Sequence, residues 1–428
     1  MREDLLHFLW KFKKIPFTDL ITQQQEKLRI DDFGFHNLNE GPDFHQVKVT
    51  IDGQQWAGNA EMHLKSSDWY AHHHETDTNY ENVVLHVVWE DDIAVFRKDG
   101  SQISCLELKG HISEELLSSY KYLMDTSQIR FINCEKSSLE IPTVIWLNWE
   151  ERLYFERLEE KSKRIEELLR QTCNNWEAVL FLLLCRNFGT KVNGLFFFSR
   201  ALQLDFSIIR KTRAQLNQLE SLFFGHFGLL NIESCKDTHY LELQKEYRYL
   251  RQKFDLSAPE AKPAFFGMRP HNFPTIRISQ LAGLYHTHAH LFQTLMDLEK
   301  PKDFYALFQV DVHPFWENHY TFGKDSKKCK KKISSDFIDL LIINTLVPLK
   351  FCYSRFLGKD THEGLLDLIS LLKPEKNTIV NNFKKIGIPS KNALQSQSRI
   401  QLYQNYCSKK RCLQCDVGSR LLNRNAYI

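Results

Sequence analysis

Glycine and proline are scarce, 17 and 12 among 428 residues, which leaves little room for long flexible linkers. Long apolar runs are missing too. The strongest, 179–185 and 337–349, are too short or too interrupted to read as bilayer spans, so no membrane partner is expected. The opening Met1-Arg2-Glu3-Asp4 is charged and no apolar stretch follows it, so no export signal is expected. Ten cysteines in that setting read as reduced thiols of a cytoplasmic protein rather than a disulfide frame. An excess of one charge is also lacking. The 56 basic and 53 acidic side chains leave +3, too little to imply a polyanionic partner by itself.

Phenylalanine is abundant, at 31 residues, and suits large, filled cores. A mass of 50.6 kDa exceeds one ordinary core. Three segments are expected: 1–140 as a mixed α/β domain, 141–310 as a helical domain, and 311–428 as a helical C-terminal region carrying a cysteine cluster. The fold class is α+β.

The periodicities support this division. Leu5, Leu6, Phe8, Leu9 and Phe12 fall at helical spacing. Val47, Val49 and Ile51 alternate with polar residues, and Asp52-Gly53 closes a hairpin. In the next strand Ala60, Met62 and Leu64 face one way, with Glu61, His63 and Lys65 the other. Residues 83–89 are apolar except for His86 and read as a strand buried on both faces. Further strands are expected at 93–96 and 103–108. After Pro142 helices dominate: Asn148 with Glu151, and Asn174 with Glu177, have capping-box spacing. Pro374 suits the start of a helix at Glu375.

Polar side chains crowd the strands of residues 41–89. Asp43 at the mouth of one strand and Glu61 on the next can converge on Mg²⁺ or Mn²⁺, which take oxygen ligands. His63, two residues on, shares the Glu61 face and can orient a water; Lys65 can supply charge. This is the residue set of metal-dependent phosphodiester hydrolysis. The pattern, with its order of helix, three strands, short helix and strand, resembles the PD-(D/E)xK nucleases. That resemblance implies Asp43 and Glu61 as metal ligands, with His63 where the family has lysine. Alternatively Asp43 caps a turn and Glu61 faces solvent. The histidines offer a separate set: His63, His74 and His86 with Asp68 could bind a transition metal. His72 and His73 read as exposed loop residues, and His86 as a core histidine bonded to Tyr80 or Asp68.

Cys407, Cys412 and Cys415 lie within nine positions and suit an Fe–S cluster or Zn²⁺, with Cys134, Cys329 or Cys352 as a fourth ligand. Three reduced thiols are the alternative. Arg269 and Arg277 in GMRPHNFPTIR can hold phosphate or pair with carboxylates. The lysines of 324–332 can follow a phosphate backbone, although a solvated loop explains them better. His286 and His290 share a helix face.

Taken together, GPDF, GNAEMHLKSSDW, YENVVLHVVWEDD, NWEAVLFLLLCRNFG, RPHNFPTIR and CLQC resemble one uncharacterised bacterial family, domain of unknown function 2851. The resemblance spans nearly the whole chain and implies no activity. His73 stands where the family pattern has glycine, which puts a tight turn there in doubt. The residues point to a divalent-metal-dependent nuclease or phosphodiesterase acting on DNA or RNA, the alternative being a non-catalytic binding or scaffolding protein on the same fold.

Overall fold

Alternating apolar residues build a mixed sheet in the N-terminal part of the chain, and helical periodicity takes over after Pro142. The computed structural model describes residues 1–16, 18–37, 39–125, 130–359 and 362–423. The chain divides into two units, one of residues 1–149 and 402–428, the other of 150–401. The three expected segments are thus regrouped: the last part of 311–428 belongs with the first unit.

The first unit opens with α1 (Asp4–Lys11), whose Leu5, Leu6, Phe8 and Leu9 are buried. The strands β1 (Leu20–Ile21), β2 (Lys27–Asp32), β3 (Phe35–His36), β4 (Phe44–Ile51), β5 (Gln54–Lys65), β6 (Val83–Glu90) and β7 (Ser104–Glu107) form one sheet. Along its main path the order is β1-β2-β4-β5-β6-β7. Pairings are antiparallel up to β5, then parallel for β5–β6 and β6–β7. A parallel pair needs a crossover; the short α2 (Asp68–Ala71) lies in the β5–β6 connection. The β4–β5 hairpin closes at Asp52 and Gly53, both at positive φ as its tight turn demands. The first six residues of β6 are buried, as a strand covered on both faces should be. Residues 93–96 form no strand; only Phe96 makes a bridge, to Gln102. The helix α3 (Glu114–Met124) follows, capped by Ser113.

Helix α4 (Thr143–Gln171) starts directly after Pro142, so Asn148 lies inside it and caps nothing. Next come α5 (Trp176–Phe188), α6 (Thr190–Leu202), α7 (Phe206–Thr212), α8 (Leu216–His226), α9 (Thr238–Lys253), α10 (Pro274–Thr287), α11 (Leu291–Asp297) and α12 (Pro301–Leu307). The cap of α5 is Asn175, whose side chain accepts from the Ala178 N–H at 3.2 Å. Asn174 instead takes a left-handed turn conformation. A small hairpin, β8 (His319–Thr321) and β9 (Lys324–Asp325), precedes α13 (Ser335–Leu341). A π-turn, Ile342–Leu346, joins α13 to α14 (Val347–Phe356). This run is long and apolar enough to cross a membrane, but its most apolar stretch is 72% buried within the protein. Then come α15 (His362–Ser370), α16 (Thr378–Lys385), α17 (Ala393–Leu402) and α18 (Asp416–Leu422). The cap of α16 is Asn377, so Pro374 does not start a helix. Phenylalanine fills the second unit's core, with Phe181, Phe188, Phe197, Phe223 and Phe224 all at most 1% exposed.

Candidate metal centre

Glu61 and His63 lie two apart on β5 and share a face, as alternation requires. In the parallel register Glu61 stands opposite His86 of β6, which brings three polar side chains into the middle of an otherwise apolar sheet. All three are buried, at 5%, 1% and 0% exposure. His63 Nδ1 lies 2.8 Å from His86 Nε2, a hydrogen bond that fixes the His63 ring. Its other nitrogen, Nε2, then faces His72 Nδ1 at 3.1 Å and Glu61 Oε1 at 3.6 Å. His74 Nε2 lies 3.4 Å from the same Glu61 oxygen. One ligand atom from each of His63, His72 and His74 falls within 4.8 Å of the others.

The corner after β5 delivers His72 and His74. Ser66 and Ser67 both donate through their hydroxyls to Asp92, and the Ser67 N–H joins them. Asp68 accepts the Lys65 N–H at 3.0 Å. These bonds start α2, and His73 then turns the chain at φ +60. The tight turn put in doubt by His73 is therefore made, with histidine in the left-handed conformation. Trp69 is buried against His74, Tyr80 and His86, and Tyr80 stacks on His74 at 3.7 Å.

Asp43 enters from the other side. Its Oδ2 accepts the Met62 N–H at 3.0 Å and lies 3.0 Å from His7 Nε2. The Asp43 N–H donates to Glu61 Oε2 at 3.0 Å. Gly41, at φ +99, and Asn37, which donates to the Glu40 and Pro42 carbonyls, shape this entry. Asp43 thus supports Glu61 but belongs to no three-donor cluster among the described residues.

Burial dominates the electrostatics. It pushes the Glu61 carboxyl up to about 9, with the Asp43 charge adding to the effect. Burial and the neighbouring histidines push His63 down to about 2, and burial lowers His86 to about 3 and also lowers His74. All three shifts favour the neutral imidazole, and of the three His63 and His74 belong to the donor set. For His7 burial again lowers the pKa, but the hydrogen bond and charge of Asp43 outweigh it and the net shift is upward.

Several expectations are met differently. His86 bonds His63, not Tyr80 or Asp68, and stands behind the donor set. His72 is exposed but takes part, and His7 was not singled out at all; no local pattern marks either. Lys65 is exposed, and its Nζ lies 3.8 Å from Asp92. Cys407, Cys412 and Cys415 form no three-donor cluster among the described residues. Cys134 is close enough that Cys415 and Cys412 add to the burial that raises its thiol to about 12. His286 and His290 share no helix face, because α10 ends at Thr287 and His290 precedes α11, while His286 Nδ1 faces the Arg213 carbonyl. Arg269 and Arg277 line one cleft of the second unit. That unit also gathers Glu220, His239 and His313, with Glu220 bonded to Ser279.

The family described as Protein of unknown function (DUF2851) matches residues 3–378. The chain belongs to that family, and the cysteine tail lies beyond the match. No curated protein and no solved structure matches the chain.

Proposed function

We propose that this protein is a divalent-metal-dependent phosphodiester hydrolase acting on nucleic acid, its metal held by Glu61, His63, His72 and His74. The observation that carries the reading is the convergence of one ligand nitrogen each from His63, His72 and His74 within 4.8 Å, with Glu61 Oε1 3.6 Å from His63 and 3.4 Å from His74. Lone pairs aimed at one another in a buried place repel unless a cation or proton lies between them. Three nitrogens and one oxygen suit Zn²⁺, Mn²⁺ or Fe²⁺ better than Mg²⁺, which prefers oxygen. Among the described residues five strands lie between α1 and α2, of which the longer β2, β4 and β5 are antiparallel, and β6 then pairs parallel to β5. Apart from the short β1 and β3 this order is similar to the one the nuclease resemblance implies, which supports the hydrolase class.

A bound metal would supply a Lewis acid and an activated water near neutral pH. The chain's own residues prepare the place. His86 orients His63, an arrangement common behind ligating histidines. Trp69 and Tyr80 keep water from the inner side of His74. Asp43 holds the Met62 amide and Glu61 in register, and His7 at the rim can carry a proton on Nε2 against Asp43.

The test is metal analysis of the purified protein alongside cleavage of single- and double-stranded DNA and RNA with Mn²⁺, Zn²⁺ or Mg²⁺. Glu61→Gln and His74→Ala should lose the metal and about a hundredfold or more of the cleavage, with circular dichroism unchanged. Metal content unaffected by both substitutions would overturn the site. Metal bound without cleavage would favour the non-catalytic binding protein instead.

A further inference from the structure

Arg277 on α10 is only 5% exposed, yet its hydrogen-bond partners are neutral. Nη1 donates to Gln280 Oε1 at 2.9 Å and Nη2 to Asn272 Oδ1 at 2.7 Å, while Nε has no partner. The guanidinium stacks over Phe337 at 3.7 Å. A guanidinium does not give up its proton at neutral pH, so a full charge is buried without an anion. That is costly unless something else supplies the anion.

The surroundings deepen the deficit. Arg277 lines a cleft of about 1040 Å³ together with Arg186, Lys191, Arg269, Lys330 and Lys332. None of the six pairs with a carboxylate among the described residues, and Arg186 Nη1 is also buried without a partner. Among the described residues the only acid lining the cleft is Asp336, which already faces Lys376 at 3.4 Å.

The lysine run contributes by alternation. Lys331 is buried, its Nζ donating to the Glu317 and Cys329 carbonyls over the Tyr320 ring. Gln280, the residue that holds Arg277, donates to the Lys331 carbonyl at 2.8 Å. In an extended segment neighbours point oppositely, so Lys330 and Lys332 are sent to the cleft. Beyond β9 the run is a loop with its other lysines exposed, but Lys331 anchors it, and two motifs far apart in sequence meet in one place.

We propose that this cleft is a binding site for phosphate esters, with Arg277 at its buried end. Phosphate offers the multiple charge and the oxygen geometry that match guanidinium forks. The volume exceeds what a lone phosphate ion fills and suits a ligand of nucleotide size. Leu195 and Leu340 at the edge, 72% and 38% exposed, give a base or sugar an apolar surface. The shared chemistry serves a free nucleotide or the backbone of a polynucleotide. This inference does not rest on the metal site.

The experiment uses the full chain with ATP, pyrophosphate and a fluorescein-labelled twelve-nucleotide DNA, read by calorimetry and anisotropy at low and moderate salt. At least one probe should bind. Arg269→Ala and Lys332→Ala change exposed side chains, spare the fold, and should each weaken binding about tenfold. Arg277→Gln should abolish it. Saturable ATP binding that displaces the DNA identifies a nucleotide site; DNA binding with a steep salt dependence that ATP does not match identifies a polynucleotide path. Failure of every probe to bind at low salt overturns the proposal. So does binding that Arg269→Ala and Lys332→Ala leave within twofold.

Discussion

In the first unit, burial has neutralised basic side chains: His63 and His86 are held far below their ordinary pKa and behave as lone-pair donors. In the second unit, Arg277 is about as deeply buried and keeps its charge, although burial lowers its pKa to about 10. The difference lies in the side chains, not the depth. An imidazole escapes desolvation by releasing a proton, and what remains can ligate a cation. A guanidinium has no such exit within the physiological range and calls for an anion. One kind of burial prepares a place for a metal and the other for a phosphate.

The largest effect should appear where a buried arginine does have its anion. Arg399 is 4% exposed and bonded to Glu150, itself 3% exposed. Arg399→Met strands that carboxylate and should destabilise the protein by about 3–5 kcal/mol, read from urea unfolding. A loss below about 1 kcal/mol would break the comparison, because buried charge would then matter little here.

The second unit also holds a histidine that yields its proton to burial. His226 Nε2 donates to the Arg200 carbonyl at 2.7 Å, while Nδ1 is buried without a partner. Burial, with a smaller push from the Arg200 charge, lowers its pKa from 6.5 to about 4. Between those values the unfolded chain binds the extra proton. Stability should therefore fall as pH drops through this window, by at most about 1.4 kcal/mol per unit, and level off below it. His226→Gln keeps a donor for Arg200 without titrating and should flatten that slope. An unchanged slope would show that His226 is charged in the fold.

Much of this was legible locally. Helix α1, the β4–β5 hairpin and the buried β6 follow from period and turn chemistry over a few residues. Cap positions slipped where two signals compete. Asn174 and Asn175 are both cap formers, and the turn spends Asn174 at positive φ. Asn148 has capping spacing but sits on the exposed side of a helix that Pro142 already started. The clusters were harder because their members meet only through the fold. His72 reaches His63 through a corner pinned by Asp92, and Lys330 meets Arg277 across 53 residues, so neither carries a local mark. Residue type did carry over: Glu61, His63 and His74 were singled out for chemistry, and the structure brings them together.

Arg277 itself should behave opposite to Arg399. With no anion to strand, Arg277→Met removes an uncompensated charge and keeps the contact with Phe337. It should stabilise the ligand-free protein by about 1–2 kcal/mol while erasing the thermal shift that ATP or DNA produces. Destabilisation comparable to that of Arg399→Met would mean that Asn272 and Gln280 alone satisfy the charge.

The smallest effect tests what the histidine cluster costs its backbone. His73 is at φ +60 and its side chain is 81% exposed, with only a 3.9 Å approach to Glu75 to hold it. A left-handed conformation disfavours a side chain with a Cβ, while glycine adopts it freely at some entropic expense in the unfolded chain. His73→Gly should then stabilise the protein by about 0.5–1 kcal/mol. Since His72 and His74 keep their positions, bound metal should not change. Loss of metal on this substitution would show that the stiff turn at His73 is what holds its two neighbours against Glu61 and His63, so that strain in the corner is part of the site.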